Sequence, residues 1–277
     1  RMPTICGLRR RGYTPASIRN FSVRNGVSKV NSTVEYSFLE HCLREDLNLT
    51  AKRVMGVLNP VKLILTNYPE DRTETFEVEN NPNRPEDGTR TVTFGRELYI
   101  EAEDFMETPV KGYFRLFPGN EVRLKTTYVV KCTGCKKDEN GNVVEVYAEY
   151  DPNSPGGDPA DGRKVKGATI HWVDAATALD AEVRVYSELF SDPAPDGADK
   201  DFLACMNPDS LEVLTGCKVE PRMRDIAAAY DKTEKKGKTA PSFQFMRLGY
   251  FCLDNKDCSE DHLVFNRSVT LKDSFRK

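Results

Sequence analysis

Arg53-Val54-Met55-Gly56-Val57-Leu58, continued by Asn59-Pro60-Val61-Lys62-Leu63-Ile64-Leu65-Thr66, is the stretch at which the hydrophobic pattern of this 277-residue chain changes. Upstream of about residue 52 the apolar residues recur at helical spacing, as in Phe38, Leu39, Cys42, Leu43 and Leu47. From residue 53 onward short β-rich runs take over, at 53–58, 61–66, 91–94, 121–124 and 127–130. Turn-rich loops separate them at 80–88, 151–162 and 191–201, and their acidic, Pro/Gly-rich composition reads as solvated connectors. A second β-rich block opens near Ile170-His171-Trp172-Val173 and runs to the C-terminus. The expected architecture is mainly β: a small N-terminal α-helical subdomain over 1–52 and two β-rich regions over 53–169 and 170–277, of the kind that forms barrels or sandwiches.

In the helical part, Thr14-Pro15-Ala16-Ser17 predicts a helix start, with Thr14 capping exposed amides and Pro15 at the first helical position, and a helix running to about Gly26. Ser32-Thr33-Val34-Glu35 predicts a second start. Two packed helices are expected.

With 39% hydrophobic and 30% charged residues, the chain is long enough for two modest domains, each with its own core. No apolar run approaches the roughly 20 residues of a membrane helix, and no signal segment opens the chain. A cytoplasmic protein without a membrane partner is expected. Because Arg1 rather than Met opens a folded-looking pattern, the chain reads as a fragment of a longer protein. Eight cysteines at irregular spacings point to reduced thiols. Cys132 and Cys135 form a single CxxC with neither a second pair nor nearby histidines, so a hairpin end at Asp138-Glu-Asn-Gly-Asn142 is favoured over a metal site. Residues 1–53 hold ten Lys or Arg against four acids, a local charge of +6, which leaves −9 for the remainder of a chain at −3 overall. Such asymmetry suits a protein that meets a polyanion at chosen surfaces.

Catalytic signatures are missing. Three histidines, His41, His171 and His262, are scattered, and there is no phosphate loop, paired-His metal motif or nucleophile elbow. His41 sits among core-spaced helix residues and His171 beside Trp172 at a strand entry, both positions for packing rather than catalysis. Binding chemistry is better represented. Tyr113-Phe114-Arg115, Arg123-Leu124-Lys125 and Phe243-Gln244-Phe245-Met246-Arg247 interleave aromatics with cations and an amide, the groups that stack on and hydrogen-bond to unpaired RNA bases. Taken alone, that alternation is also what any half-exposed strand shows.

Ordered motifs along the whole chain carry a resemblance. Arg1-Met2-Pro3-Thr4-Ile5 with Gly7-Leu8-Arg9-Arg10-Arg11-Gly12-Tyr13, then Arg44-Glu45-Asp46-Leu47-Asn48, Asn59-Pro60-Val61-Lys62-Leu63 and Asn81-Pro82-Asn83-Arg84-Pro85-Glu86 open the series. Asp161-Gly162-Arg163-Lys164-Val165-Lys166-Gly167, Ile170-His171-Trp172-Val173, Gly249-Tyr250-Phe251-Cys252-Leu253-Asp254 and Phe265-Asn266-Arg267 complete it. The chain resembles the part of class I glutaminyl- and glutamyl-tRNA synthetases, in the bacterial glutaminyl form, that follows their KMSKS region. The resemblance implies a helical connector plus two six-stranded-type, ribosomal-protein-like barrels that clasp the anticodon loop of the glutamine tRNA. It also implies that ATP, Mg and adenylate chemistry belong to a catalytic domain of the same polypeptide, that this segment holds no cofactor or metal and is inactive alone, and that DNA is not a partner.

Residue by residue, the resemblance places Arg53 and Gln244 on the middle anticodon base, Arg115 on the third and Arg123 on the first. Lys125 stands where a related form has arginine, keeping charge but losing bidentate geometry. Asn83 corresponds to a loop asparagine near the anticodon and Lys29 to a connector lysine near the inner corner of the tRNA. Gly112 and Phe114 replace polar family residues beside the pocket, and an extra residue within 166–171 is expected to shift a register or form a bulge. Without the resemblance, Arg53 and Arg115 would read as surface strand charges. Two alternatives stand beside it: a glutamyl-tRNA synthetase of eukaryotic or archaeal type, and a protein-docking barrel with no RNA contact.

Overall fold

Val61, Leu63 and Leu65 all point inward from the strand Pro60–Leu65 while Lys62 and Ile64 are half exposed, so the alternation that marks the pattern change also sets the orientation of the sheet. The computed structural model describes residues 4–30, 33–197, 199–233 and 239–275. The chain divides into two compact units: Arg53–Asp180 with Gly216–Met223, and Arg1–Lys52 with Ala181–Thr215 and Arg224–Lys277.

The first of these, the central unit, is built on a sheet of seven short strands. Pro60–Leu65 pairs antiparallel with Glu97–Glu101 and parallel with Val143–Tyr150. Val143–Tyr150 forms a hairpin with Val129–Lys137, which pairs in turn with Glu121–Leu124. The two outermost strands are consecutive in the chain. Thr169–Ile170 runs parallel to Arg123 and Leu124 at one edge, and Val173–Asp174 lies antiparallel to Leu98 and Tyr99 at the other. Because two residues link them, the segment 169–174 brings both edges together and closes the sheet into a ring. Counted as one interrupted stave, it makes a six-staved barrel, and closure removes the open edges an antiparallel sheet would otherwise expose. His171 and Trp172 lie inside, each 1% exposed, as their position in the sequence predicts. Trp172 packs edge-on against Phe94 at 5.1 Å, and its Nε1–H donates to the Lys125 carbonyl at 3.0 Å. Phe94, Tyr68, Tyr128 and Tyr150 complete an aromatic core with ring centroids 5.0–5.6 Å apart.

Gly167 explains how the closing segment reaches the edge. A Cβ there would lie 1.9 Å from the Glu121 carbonyl oxygen, so only glycine lets the two backbones come this close. The register irregularities of this sheet fall between Cys132 and Gly134 and between Lys136 and Lys137, whereas Thr169 and Ile170 pair in plain register. The CxxC therefore lies within a bulged strand rather than at the hairpin end, which sits at 138–142, where Asp138 Oδ1 accepts from the Asn140 and Asn142 amides. Cys132 is buried, which pushes its thiol up to about 11. All eight cysteines are free thiols, and among the described residues no group of three or more His, Cys, Asp or Glu is placed to hold a metal.

In the other unit, three helices precede the strands rather than the two expected: Ile5–Arg10, Pro15–Asn25 and Tyr36–Thr50. The first is too short for periodicity to reveal, and Thr4 caps it. Thr14 caps the second through the Ser17 amide at 3.0 Å, and Gly26, at φ 76°, ends it. The third begins at Tyr36, later than its sequence signal; Ser32 lies outside the described residues. Leu39, Leu43 and Leu47 join Leu8, Tyr13, Tyr250 and Val269 in one core. Ser242–Phe245, Gly249–Leu253, Leu263–Thr270, Leu179–Tyr186 and Leu211–Val219 are, in that order, the five inner strands of the second barrel-like sheet, which has seven. A fourth helix, Arg222–Ala229, interrupts the block that the sequence suggests is all β.

Three of the motif segments meet in this unit. Arg10 donates to Asp254 through Nε at 2.8 Å and Nη2 at 3.1 Å, and Asn266 Nδ2 donates both to Asp254 at 2.7 Å and to the Arg10 carbonyl at 3.1 Å. Burial alone would raise the Asp254 pKa, but the hydrogen bonds from Arg10 and Asn266 hold it well below the usual carboxylate range. These residues fasten the first helix to the strands, with Asp254 and Asn266 fully buried and Arg10 engaged by its carboxylate partners.

Candidate nucleic-acid interface

The side chains singled out from the sequence fall into two groups by unit. Arg53, Asn83, Arg115, Arg123 and Lys125 belong to the central unit, while Gln244 and Lys29 belong to the other.

Within the central unit, three cationic positions share one backbone scaffold. The Ala168 amide donates to the Phe114 carbonyl at 2.8 Å, and the Ala168 carbonyl accepts from the Arg123 amide at 3.1 Å. The Lys125 amide donates to the Ile170 carbonyl at 2.9 Å. The closing segment at 168–170 thus ties together the loop bearing Arg115, the strand bearing Arg123 and the turn bearing Lys125. This turn is tight, with Thr126 in the left-handed region at φ 73°, and it presents Lys125 to solvent.

The two arginines are held differently. Arg115 is 42% exposed, and its Nη1 contacts Asp104 Oδ1 at 3.1 Å and the Glu103 carbonyl at 3.2 Å. Asp104 is fully buried, so the pair anchors the base of the guanidinium while the side chain as a whole stays partly exposed. Arg123 donates from Nε to the Gly157 carbonyl at 2.9 Å and from Nη1 to the Val165 carbonyl at 3.1 Å. Its side chain therefore pins the 155–165 loop against the strand. That loop is more than a solvated connector: Ser154 is fully buried and donates to the Asp151 carbonyl at 2.6 Å, and Arg163 bridges Asp151, Asp161 and Glu121.

Arg53 and Asn83 form a second neighbourhood in the same unit. The Arg53 amide donates to the Asn80 carbonyl at 2.6 Å, and the Asn83 amide to Asn81 Oδ1 at 3.0 Å. Arg53 is only 7% exposed, whereas Asn83 is exposed. The 80–88 loop is also folded rather than merely solvated, since Asn80 and Asn81 are buried and Asn80 Nδ2 bonds the carbonyls of Asp87 and Thr89. Behind it, Arg90 and Glu220 make a buried two-pronged ion pair, 2.7 Å at each prong, and Glu220 also accepts from the Met55 amide at 2.7 Å. Two residues from Arg53, this contact fixes the strand path.

In the other unit, Gln244 is half exposed on Ser242–Phe245, opposite Tyr250, while Phe243 and Phe245 on either side are buried. The strand alternation therefore turns Gln244 away from the core, as its sequence position predicts. Lys29 is exposed in the bend after Gly26. His41 faces Asp273 at 2.5 Å and Glu45 at 3.1 Å on the third helix, a structural cluster. Part of the lysine-rich stretch 232–238, at 234–238, lies outside the described residues.

Phe114 is 65% exposed at the head of the Arg115 loop, and Val110, earlier in the same loop, is 64% exposed. The sequence marks the triplet Tyr113-Phe114-Arg115, yet which aromatic turns outward follows from tertiary bonding: Tyr113 is half-buried, with its hydroxyl donating to the Glu103 carbonyl at 3.0 Å.

Residues 51–151 match a family model described as tRNA synthetases class I (E and Q), anti-codon binding domain, and residues 169–254 match a second model of the same description. The chain is 53% identical over 276 residues to a glutamine–tRNA ligase of Clostridioides difficile strain 630, covering 100% of the chain and 48% of that protein. It is 52% identical over 277 residues to the glutamine–tRNA ligases of Clostridium kluyveri and of Bordetella pertussis strain Tohama I, covering 48% and 45% of them. The chain spans about half the length of the curated relatives it matches.

Proposed function

We infer the role of this chain from the family to which it belongs, the anticodon-binding domains of class I (E and Q) tRNA synthetases: it grips the anticodon arm of the glutamine tRNA on behalf of a glutamine–tRNA ligase. The carrying observation is a continuous match along the whole chain to relatives of that name, on a fold that ties Arg115, Arg123 and Lys125 to one closing segment. Every relative named above is a glutamine ligase, so the glutamyl form is not favoured.

In this reading, residues 1–52 act as connector, and 53–169 and 170–277 supply the two anticodon-facing segments, with 169–174 serving the first as its closing stave. Arg115 reads the third anticodon base and Arg123 the first, with Lys125 and Asn83 supporting the loop. Arg53 and Gln244 share the middle base, and Lys29 meets the inner corner of the tRNA. The partly exposed Arg115 guanidinium would offer its further donors to a base edge, whereas Arg53 would contribute from a buried position, where a contact is well desolvated. The portion of the relatives that this chain does not span would supply ATP, Mg and the aminoacylation chemistry, so the chain alone would be inactive, and the parent would work in the cytoplasm.

Binding of stem-loop RNAs carrying the glutamine anticodon and scrambled loops tests this. Arg115→Ala and Gln244→Ala should each weaken binding of the cognate loop by roughly 1–3 kcal/mol, with affinity falling steeply as salt rises. Equal binding of both loops, or salt-insensitive binding, would instead favour a protein-docking barrel.

A further inference from the structure

We propose that the ring of Phe114 is a stacking platform for an unpaired base of bound RNA, an inference that rests on the tRNA reading above and adds to it a contact made by an apolar side chain.

Phenylalanine is among the residues most often buried, yet Phe114 is 65% exposed in a loop whose neighbouring groups are all committed. Its carbonyl accepts from Ala168, the Tyr113 hydroxyl is bonded to Glu103, and Arg115 is anchored on the buried carboxylate of Asp104. The next residue, Leu116, is fully buried, and its amide donates to the Asp104 carbonyl at 2.9 Å. The ring cannot turn into the core without breaking these bonds. Fixed backbone beneath an uncovered aromatic face lowers the ordering cost of stacking a flat ligand on it.

The charge around the ring decides what kind of ligand. Arg115 adjoins it in sequence, Lys111 is exposed three residues before it, and Lys166 is exposed two residues before Ala168, the partner of the Phe114 carbonyl. An exposed aromatic face on a loop that carries an exposed lysine and a partly exposed arginine, and whose acids Asp104 and Glu107 are already paired with Arg115 and Lys137, fits a base carried on a phosphate chain better than an apolar protein surface. Stacking tolerates any base, so Phe114 would add affinity while Arg115 adds identity.

The test uses this chain and a stem-loop RNA bearing the glutamine anticodon, with 2-aminopurine placed at one loop position at a time. Phe114→Leu should raise Kd by about 5- to 150-fold, the range expected for losing one base–aromatic stack, and abolish the fluorescence change at a single loop position. Phe114→Tyr or Phe114→Trp should restore both, and the melting temperature should not move, because the side chain is exposed. If Phe114→Leu binds like the parent with its fluorescence change intact while Arg115→Ala still weakens binding, the stacking role is overturned and the tRNA reading stands. Should the unaltered chain fail to distinguish the cognate loop and Arg115→Ala be silent, both fall together, and the uncovered Phe114 and Val110 would be left to a protein partner.

Discussion

Removing the carboxylate of Glu220 should strongly destabilise the central unit. Glu220 and Arg90 are 4% and 5% exposed, and the carboxylate accepts three hydrogen bonds of 2.7 Å, two from Arg90 and one from the Met55 amide. Glu220→Ala strands the Arg90 guanidinium in a site closed to water. Breaking a buried pair from one side costs about 3–5 kcal/mol, because the desolvation of the remaining charge is no longer offset. The double replacement Arg90→Met with Glu220→Leu removes both charges. Its cost should fall to about 1–3 kcal/mol, the penalty for leaving the Met55 amide and the Glu79 carbonyl without the partners they now have. Urea unfolding of the four proteins forms a cycle that isolates the pair. A Glu220→Ala loss below about 1 kcal/mol, or a double variant as unstable as the sum of the single ones, would refute this account of the pair.

Two further predictions rest on the same kind of contact. Gly167→Ala should lower the melting temperature and speed amide exchange at 169–170, since its Cβ would meet the Glu121 carbonyl; unchanged exchange there would sink the closure argument. The Asp254 carboxyl has its pKa lowered on folding, so its stabilising contribution is complete above the unfolded value near pH 4 and declines as the pH drops below it toward the folded one. Asp254→Asn should therefore destabilise the protein at pH 7 and flatten the acid limb of its stability curve, as read by chemical unfolding at several pH values.

Much of the fold was legible wherever a periodic pattern ran long enough. The switch from helical to strand spacing near residue 52, the alternation of 61–66 and the caps at Thr14 and Gly26 each follow from local chemistry. The helix Ile5–Arg10 was hidden by its brevity, and Arg222–Ala229 by lying within a β-rich stretch. The loops at 80–88 and 151–162 read as solvated because their composition is polar, yet Asn80, Asn81 and Ser154 are buried with backbone partners supplied by their own loops. For the candidate site, residue type was readable and orientation was not. Neither the attachment of Arg123 to the Gly157 and Val165 carbonyls nor the burial of Arg53 has a local signal, because both depend on segments distant in sequence. The motif residues Arg10, Asp254 and Asn266 stand out equally well in the sequence, and their clustering shows that a recurring motif can mark a fastening as readily as a contact surface.

The hoop formed by 169–174 also sets an order of events during synthesis. Its two edges, at Leu98–Tyr99 and Arg123–Leu124, are translated well before the segment that joins them. Until Asp174 has left the ribosome the strands between can form only an open ribbon, with backbone donors and acceptors free at both margins. A nascent chain stalled before that point should be prone to pairing with its neighbours, and a few more residues of elongation should end that hazard.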